Sequence, residues 1–189
     1  MLIAADGNRI PREWWEDNRV SPPIWEWDEA AGYSKEVIDR TWGRITAKGS
    51  TFWKNLKPLP GAREVIRKLN GLSSRGTEVA FLTNRFGHNV KRQTELALYN
   101  LGMSYPTVII APSGAAKIPI LRGVGADFFL DDRLDTLNQC VESAVEFGPM
   151  WKCQLFLLNK PYNQTGRLGG YSVVDTPQAA LEAVGLWKP

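Results

Sequence analysis

Two short apolar segments that end in polar side chains constrain the fold of this chain more than any other feature. One reads Phe-Leu-Thr-Asn-Arg at 81–85 and the other Phe-Phe-Leu-Asp-Asp-Arg at 128–133. Apolar runs of this length, bounded by turn signals, are typical of strands buried in a parallel sheet. Because open α/β sheets bind ligands at the carboxyl ends of their strands, the polar side chains are expected to meet at one rim.

The rest of the second part of the chain alternates strands with amphipathic helices. Apolar spacing predicts strands over 78–82, 107–111, 127–130, 154–158 and 171–174. It predicts helices over 62–72, 89–101, 113–121 and 134–147, and a last helix opened by Thr176-Pro177 and running to 184. This alternation favours parallel strands joined by right-handed crossovers, hence a three-layer α/β fold.

The first part of the chain has a different composition. Six of the 8 tryptophans lie in the first 53 residues, at positions 14, 15, 25, 27, 42 and 53. Proline and charged residues are frequent there, and only 12–18 and 34–46 have a weak helical pattern. We therefore expect a Trp-rich helical cap over residues 1–57 and an α/β core over residues 58–189.

Composition excludes several classes of protein. The net charge of +3 comes from scattered Lys and Arg, which gives no basis for nucleic-acid binding. Cys140 and Cys153 have no disulfide or metal spacing, so free thiols in a reducing compartment are expected. No apolar run reaches the roughly 18 residues of a membrane span, and no signal peptide is recognisable at the N-terminus. A cytoplasmic protein that does not bind a membrane is the expectation, with a homodimer left open.

Taken in order, the polar motifs resemble those of the haloacid dehalogenase superfamily of phosphotransferases. Thr83 ends a strand as in the second motif of that family, Lys117 stands in the place of the third-motif lysine, and Asp131-Asp132 is similar to the acidic fourth motif. Segments 52–62 and 158–163 resemble the cap-to-core connection and a later loop of the 5'(3')-deoxyribonucleotidase-type 5'-nucleotidases and their phage and bacterial relatives. The similarity runs from about 51 to 184.

The resemblance implies a Mg²⁺-dependent phosphohydrolase that acts on nucleoside monophosphates or similar small phosphates. Thr83, with Asn84 beside it, would hydrogen-bond a phosphoryl oxygen, and Lys117 would pair with the phosphate and with the nucleophile. Asp131 would coordinate the metal, assisted by Asp132, since hard cations take oxygen ligands.

The same resemblance implies that the cap supplies part of the substrate site. Phe52, Trp53 and Arg85 are the candidate substrate-binding residues, since an aromatic side chain can stack on a nucleobase. For most of the tryptophans we favour the plainer interpretation, in which they fill a small core between cap and sheet.

Each of these residues also has a plain structural interpretation. Thr83-Asn84 after a strand is an ordinary turn signal, and Lys117 alone would be a solvated lysine. Asp132 is a candidate cap for the helix that starts near 134. His88, the only histidine, is expected in a loop or at a helix start. It is the combination of motifs that favours a phosphate and metal site.

The first motif of the family, Asp-x-Asp-Gly, is incomplete. Aligned on Asp6-Gly7, the chain keeps Asp6 as general acid/base and metal ligand but has Ala4 at the nucleophile position. Alternatively, 7–14 resembles the cap entry of phage relatives, and the first strand is absent. That strand would be central in the sheet, and its loss would leave unpaired backbone groups on both neighbouring strands. Four alternatives stay open: residues 1–5 fill its place, the neighbouring strands close up, the sequence begins late, or another chain donates the strand. A non-catalytic phosphate- or nucleotide-binding protein is therefore the second hypothesis.

Overall fold

A computed structural model describes residues 33–147 and 152–187. The helices are α1 (Lys35–Thr46), α2 (Ala62–Ser73), α3 (Val90–Leu101), α4 (Lys117–Gly123), α5 (Leu134–Phe147) and α6 (Pro177–Ala183). The strands are β1 (Ala80–Thr83), β2 (Thr107–Ile110), β3 (Phe128–Asp131), β4 (Gln154–Leu158) and β5 (Ser172–Val174). Two 3₁₀ turns, Trp53–Asn55 and Pro161–Asn163, complete these elements.

Every strand and helix predicted over residues 58–189 is present, with ends shifted by a few residues. Gly102, with φ of 110°, ends α3 where a left-handed conformation is needed. The hydroxyl of Thr176 accepts a hydrogen bond from the Ala179 amide at 3.1 Å, so the predicted cap of α6 is confirmed.

The largest shift is in α4, which begins at Lys117 instead of Ser113. The hydroxyl of Ser113 accepts a hydrogen bond from the Ala116 amide at 3.2 Å and holds a turn ahead of the helix. Pro119 lies in the first turn of α4, where a missing N–H loses no intrahelical bond, so the helix continues to Gly123.

All strand pairs among the described residues are parallel, as predicted, but they form two sheets. β1 pairs with β2, and β3, β4 and β5 pair in that order. The single sheet expected from the alternation of elements is therefore divided between β1 and β3. Among the described residues, no strand pairing joins β1 to β3.

One hydrophobic core joins the two sheets. Leu82 of β1 packs against a buried cluster drawn from α4, α5, β3 and β4. That cluster consists of Ile118, Leu121, Phe129, Leu137, Cys140, Leu155 and Leu157. The two sheets therefore share one hydrophobic core, although no backbone hydrogen bond joins β1 to β3 among the described residues.

Both thiols are free, as predicted. Cys140 is buried in α5 and Cys153 lies half-buried just before β4. Burial raises the pKa of the Cys140 thiol to about 12 and that of Cys153 to about 11. Both therefore remain protonated at neutral pH and act as small apolar side chains.

The described part of the N-terminal region packs on the core through aromatic side chains. The Trp53 amide donates a hydrogen bond to Gln93 of α3 at 3.1 Å, and its ring lies 6.4 Å from that of Trp42 on α1. The predicted helix over 12–18 and the tryptophans at 14, 15, 25 and 27 lie outside the described residues. Within the described ranges, no helix is long and apolar enough to cross a membrane.

Candidate functional site

A buried ion pair joins Lys117 at the start of α4 to Asp131 at the end of β3. The Lys117 Nζ lies 2.6 Å from Asp131 Oδ2, and the two side chains are only 6% and 8% exposed. Lys117 also lies 5.9 Å from the centre of the Phe129 ring. The two residues that the sequence places at the rim are therefore in direct contact, and the interpretation of Lys117 as a solvated lysine is wrong.

The second oxygen of Asp131 is fixed by the backbone. Its Oδ1 accepts hydrogen bonds from the amides of Asp132 at 2.8 Å and Arg133 at 3.2 Å. Burial raises the pKa of Asp131, and the attraction of Lys117 offsets that rise in part. The carboxyl group is thus held in one orientation by three donors.

Asp132 contacts the loop after β4 instead of capping α5 with its side chain. Its Oδ2 accepts a short hydrogen bond from the Tyr162 hydroxyl, and its backbone carbonyl accepts one from Asn163 Nδ2 at 2.9 Å. Burial, and next the bond to Asp132, raise the pKa of Tyr162. Asp132 Oδ1 accepts no hydrogen bond from any described residue.

Asn163 ties the loop together and is 1% exposed. Its Nδ2 also donates to the Leu158 carbonyl at 2.8 Å, and its Oδ1 accepts from the Lys160 amide at 3.0 Å and from Arg167 at 3.1 Å. The sequence marked 158–163 only as similar to a family loop. The sequence signal was an Asn two residues after Pro161, which indicates a turn and does not reveal that the Asn163 side chain supports Asp132.

We expect Asn163→Ala to lower the free energy of unfolding by about 2–4 kcal/mol. The reason is that the part-buried carbonyls of Asp132 and Leu158 lose their shared donor. Urea unfolding followed by circular dichroism measures the change. Gln164→Ala is the matched control. The Gln164 side chain is exposed, and among the described residues it bonds only within the loop, to Asn159 and Lys160. Equal losses in the two variants would contradict a supporting role for Asn163.

Thr83 and Asn84 end β1 as predicted. Asn84 Nδ2 donates to the Ala111 carbonyl at 3.2 Å, while its Oδ1 is buried and accepts no hydrogen bond from the described part of the chain. The Thr83 hydroxyl accepts a 3.4 Å bond from the Arg85 amide. Among the described residues, no hydrogen bond or ion pair joins Thr83 or Asn84 to Lys117. The structure thus brings Lys117, Asp131 and Asp132 together and leaves the β1 pair on its own strand.

Arg85 lies against the aromatic residues of the N-terminal region. Its guanidinium is 5.1 Å from the Trp53 ring centre and donates to the Thr94 hydroxyl at 3.3 Å. Burial lowers the pKa of Arg85, and no carboxylate of the described chain pairs with it. A largely desolvated cation with no acidic partner is suited to an anionic ligand.

Trp53 and Phe52 are placed differently. Trp53 is 9% exposed and donates its indole N–H to the Phe86 carbonyl at 3.0 Å, so it packs as a core residue. Phe52 packs edge-on against Trp53 at 5.0 Å and is 39% exposed. Phe86, which the sequence analysis did not single out, is 52% exposed. Phe52 thus packs on Trp53, the ring that Arg85 also contacts, and the Phe86 ring lies 5.2 Å from that of Trp42.

Asp6 lies outside the described residues, so the metal site can be assessed only in part. Within those residues, no group of three or more His, Cys, Asp or Glu side chains could hold a metal ion. Two adjacent carboxylates remain there, and Asp132 Oδ1 and Asn84 Oδ1 accept no hydrogen bond from that part of the chain. Oxygen donors of this kind fit a hard divalent cation better than a thiophilic one.

No family model, curated protein or solved structure matches this chain. What bears on its function is the chemistry of the rim. A buried lysine at the start of α4 contacts the first of two successive aspartates at the end of β3, and Thr83 and Asn84 stand at the end of β1 in a separate parallel sheet. This is a set of groups that can neutralise and orient an anion together with a cation.

Proposed function

We propose that this chain has a three-layer fold of the haloacid dehalogenase type and is a Mg²⁺-dependent phosphohydrolase of small phosphate monoesters. The buried Lys117–Asp131 pair at the carboxyl end of β3 is the observation that carries the proposal. Burying a lysine and a carboxylate costs desolvation free energy, which the attraction between the two charges often does not recover. Such a pair is therefore more readily explained by a role in ligand binding than by stability alone. The order of Thr83, Lys117 and Asp131-Asp132 along the chain supports the same assignment.

Each residue has a role in this proposal that follows from its chemistry. Lys117 neutralises the phosphate, and the Thr83 hydroxyl donates to a phosphoryl oxygen. Asp131 and Asp132 hold the cation, with Tyr162 keeping one oxygen of Asp132 in place. The cation, when bound, offsets negative charge on the phosphoryl group. Asp6 is the general acid/base.

The substrate class follows from Arg85 and its neighbours. The guanidinium lies over Trp53, against which the exposed Phe52 ring also packs, and the exposed Phe86 follows Arg85 in the chain. A ligand with an anionic group and a flat ring satisfies both, since aromatic side chains stack on bases and Arg pairs with anions. Nucleoside monophosphates combine these two features and are the proposed substrates.

One observation favours a second function, namely binding without hydrolysis. Asp131 has both oxygens occupied by donors, and Asp132 has one oxygen bonded to Tyr162. No third carboxylate of the described residues lies at the rim to attack phosphorus. With Ala4 at the aligned nucleophile position, the same site would bind a nucleotide and a cation and leave the ester intact.

Phosphate release from dUMP, dTMP and p-nitrophenyl phosphate, with Mg²⁺ and with EDTA, separates the two functions. We expect release that requires Mg²⁺. Calorimetric titration of dUMP in the presence of Mg²⁺ runs in parallel. Binding without release would support the second function and contradict the first, and the absence of both binding and release would contradict the two together.

A further inference from the structure

Arg167, in the loop between β4 and β5, donates three hydrogen bonds to two asparagines of the same loop. Its Nε donates to the backbone carbonyl of Asn163 at 2.7 Å, and its Nη2 donates to Asn163 Oδ1 at 3.1 Å and to Asn159 Oδ1 at 2.8 Å. The guanidinium is a planar group with its donors in a fixed arrangement, so bonds to several acceptors fix their relative positions. Arg167 therefore holds Asn163 by its backbone and by its side chain at the same time.

Asn159 joins Arg167 to the end of β5. Its Nδ2 donates to Asp175 Oδ1 at 2.7 Å, and its backbone amide donates to the Val174 carbonyl at 2.7 Å. Val174 is the last residue of β5 and Asp175 follows it. The guanidinium is thus connected to the sheet through one asparagine, and its position does not depend on the loop alone.

Asn163 joins Arg167 to Asp132 at the rim. The Oδ1 of Asn163 accepts hydrogen bonds from Arg167 and from the Lys160 amide, while its Nδ2 donates to the Asp132 carbonyl at 2.9 Å. Because a side-chain amide is planar, donors that hold its oxygen on one side direct its NH₂ group to the other. The contacts of Arg167 therefore orient the Asn163 group that bonds to Asp132.

The same asparagine determines where Tyr162 lies. Tyr162 directly precedes Asn163 in the chain, and its hydroxyl donates to Asp132 Oδ2. A shift of the Asn163 backbone, to which Arg167 bonds, would move the tyrosine as well. Asp132 is accordingly held at its carbonyl by Asn163 and at its carboxylate by Tyr162, and both contacts depend on the position of Asn163.

We propose that Arg167 is a positioning residue for Asp132, which it orients through Asn163 and Tyr162. The proposal rests on the proposed function in one respect, namely that Asp132 helps to hold the cation. Groups that hold a metal-binding side chain in place commonly change metal affinity when they are removed, although they do not touch the metal. Loss of Arg167 is therefore expected to weaken cation binding at the rim.

A separate contact holds the other end of this loop and supplies an internal comparison. Asn138 of α5 donates from Nδ2 to the Gly166 carbonyl at 2.9 Å, and its Oδ1 accepts the Leu168 amide at 3.2 Å and the Tyr171 hydroxyl at 3.0 Å. These bonds do not involve Arg167. Hydrogen exchange at the Leu168 amide therefore reports on the loop as a whole, independently of the guanidinium.

Hydrogen exchange in the full chain tests the orienting role of Arg167. Arg167→Met removes the three donors and keeps an unbranched apolar stem. We expect exchange of the Asn163 Nδ2 protons and of the Lys160 amide to become about 10-fold faster or more, while the Leu168 amide changes by less than about 2-fold. Arg167→Lys keeps the charge but lacks the planar group, so it should also speed exchange of the Asn163 Nδ2 protons.

Arg63→Met is the matched control. It is the same chemical change on α2, where Arg63 donates one exposed hydrogen bond to the Asn100 carbonyl at 3.1 Å, and it should alter none of these rates. Unchanged exchange of the Asn163 Nδ2 protons in Arg167→Met, or wild-type protection in Arg167→Lys, would overturn the proposal. Equal acceleration at Leu168 would show a general loosening of the loop and would also overturn it.

The Mg²⁺ dependence of phosphate release from dUMP tests the consequence for the cation. We expect the half-saturating Mg²⁺ concentration to rise about 10-fold or more in Arg167→Met, with kcat at saturating Mg²⁺ changed by less than about 3-fold. A wild-type Mg²⁺ dependence would overturn the proposal. If the wild-type chain releases no phosphate, the proposed hydrolysis fails, and the exchange rates, which need no turnover, still decide whether Arg167 orients Asn163.

Discussion

Replacing Lys117 with Met is expected to lower the free energy of unfolding by about 3–5 kcal/mol at neutral pH. The substitution leaves Asp131 in a site where it is 8% exposed and without the one cationic partner that it has among residues 33–147 and 152–187. Removing one member of a buried pair is far more costly than removing one at the surface, because the remaining charge stays desolvated. Urea unfolding at pH 7.5 measures the loss.

The loss of unfolding free energy in Lys117→Met should depend on pH, and the direction of that dependence follows from the pKa of Asp131. Burial already raises the pKa of this carboxyl group above its unfolded value, and removing Lys117 raises it further. A group with a raised folded pKa contributes stability below its unfolded pKa, and that contribution is lost as the pH rises through the folded pKa. The deficit of Lys117→Met relative to the wild type should therefore be smaller at pH 5 than at pH 7.5.

A double variant identifies the cause. Lys117→Met with Asp131→Asn removes both charges and keeps an oxygen to accept the amides of Asp132 and Arg133. We expect it to be more stable than Lys117→Met alone at pH 7.5 and to lose the added pH dependence. A loss under about 1 kcal/mol in Lys117→Met, as at a surface pair, would contradict a buried electrostatic link between α4 and β3.

The sequence was most informative where local patterns decide structure. The helix predicted over 134–147 and the strand over 154–158 have the observed bounds, since regular apolar spacing reports directly on the buried face. The cap at Thr176 was also predictable, because one hydroxyl and the following proline define it. The start of α4 was not, since the Ser113 turn and the helix share the same local signals.

The sequence motifs name the candidate site residues, but they do not predict which of these side chains contact one another. The order of the motifs predicts one rim for Thr83, Lys117 and Asp131. Of these three, Lys117 and Asp131 are in contact, and that pairing depends on how β3 and α4 pack. The bond of Tyr162 to Asp132 spans 30 residues of sequence and has no periodic signature. The division of the sheet likewise depends on strand pairing over long range, which no local pattern specifies.

Asp131→Asn is expected to reduce Mg²⁺-dependent phosphate release by about 100-fold or more, because it removes the charge proposed to hold the cation. The amide retains an oxygen for the backbone donors, but it leaves Lys117 buried without its carboxylate, so a loss of stability is also expected and the assay is run well below the melting temperature of the variant. Circular dichroism before each assay confirms that the variant is folded.

Asp135→Asn is the matched control, with the same chemical change four residues along the chain. Its side chain is 75% exposed and its closest cation, Arg133, is 3.6 Å away at the surface. We expect this variant to retain the wild-type rate, because the Arg133–Asp135 pair lies at the surface near the start of α5 and contributes little to the position of Asp131. The comparison therefore separates the role of Asp131 from a general effect of lost charge.

Release of phosphate from dUMP by the wild type, Asp131→Asn and Asp135→Asn, each with Mg²⁺ and with EDTA, is the most direct test of the proposed phosphohydrolase. The proposal predicts release by the wild type and Asp135→Asn in Mg²⁺ only, and almost none by Asp131→Asn. No release by the wild type, or equal release by the two variants, would contradict it.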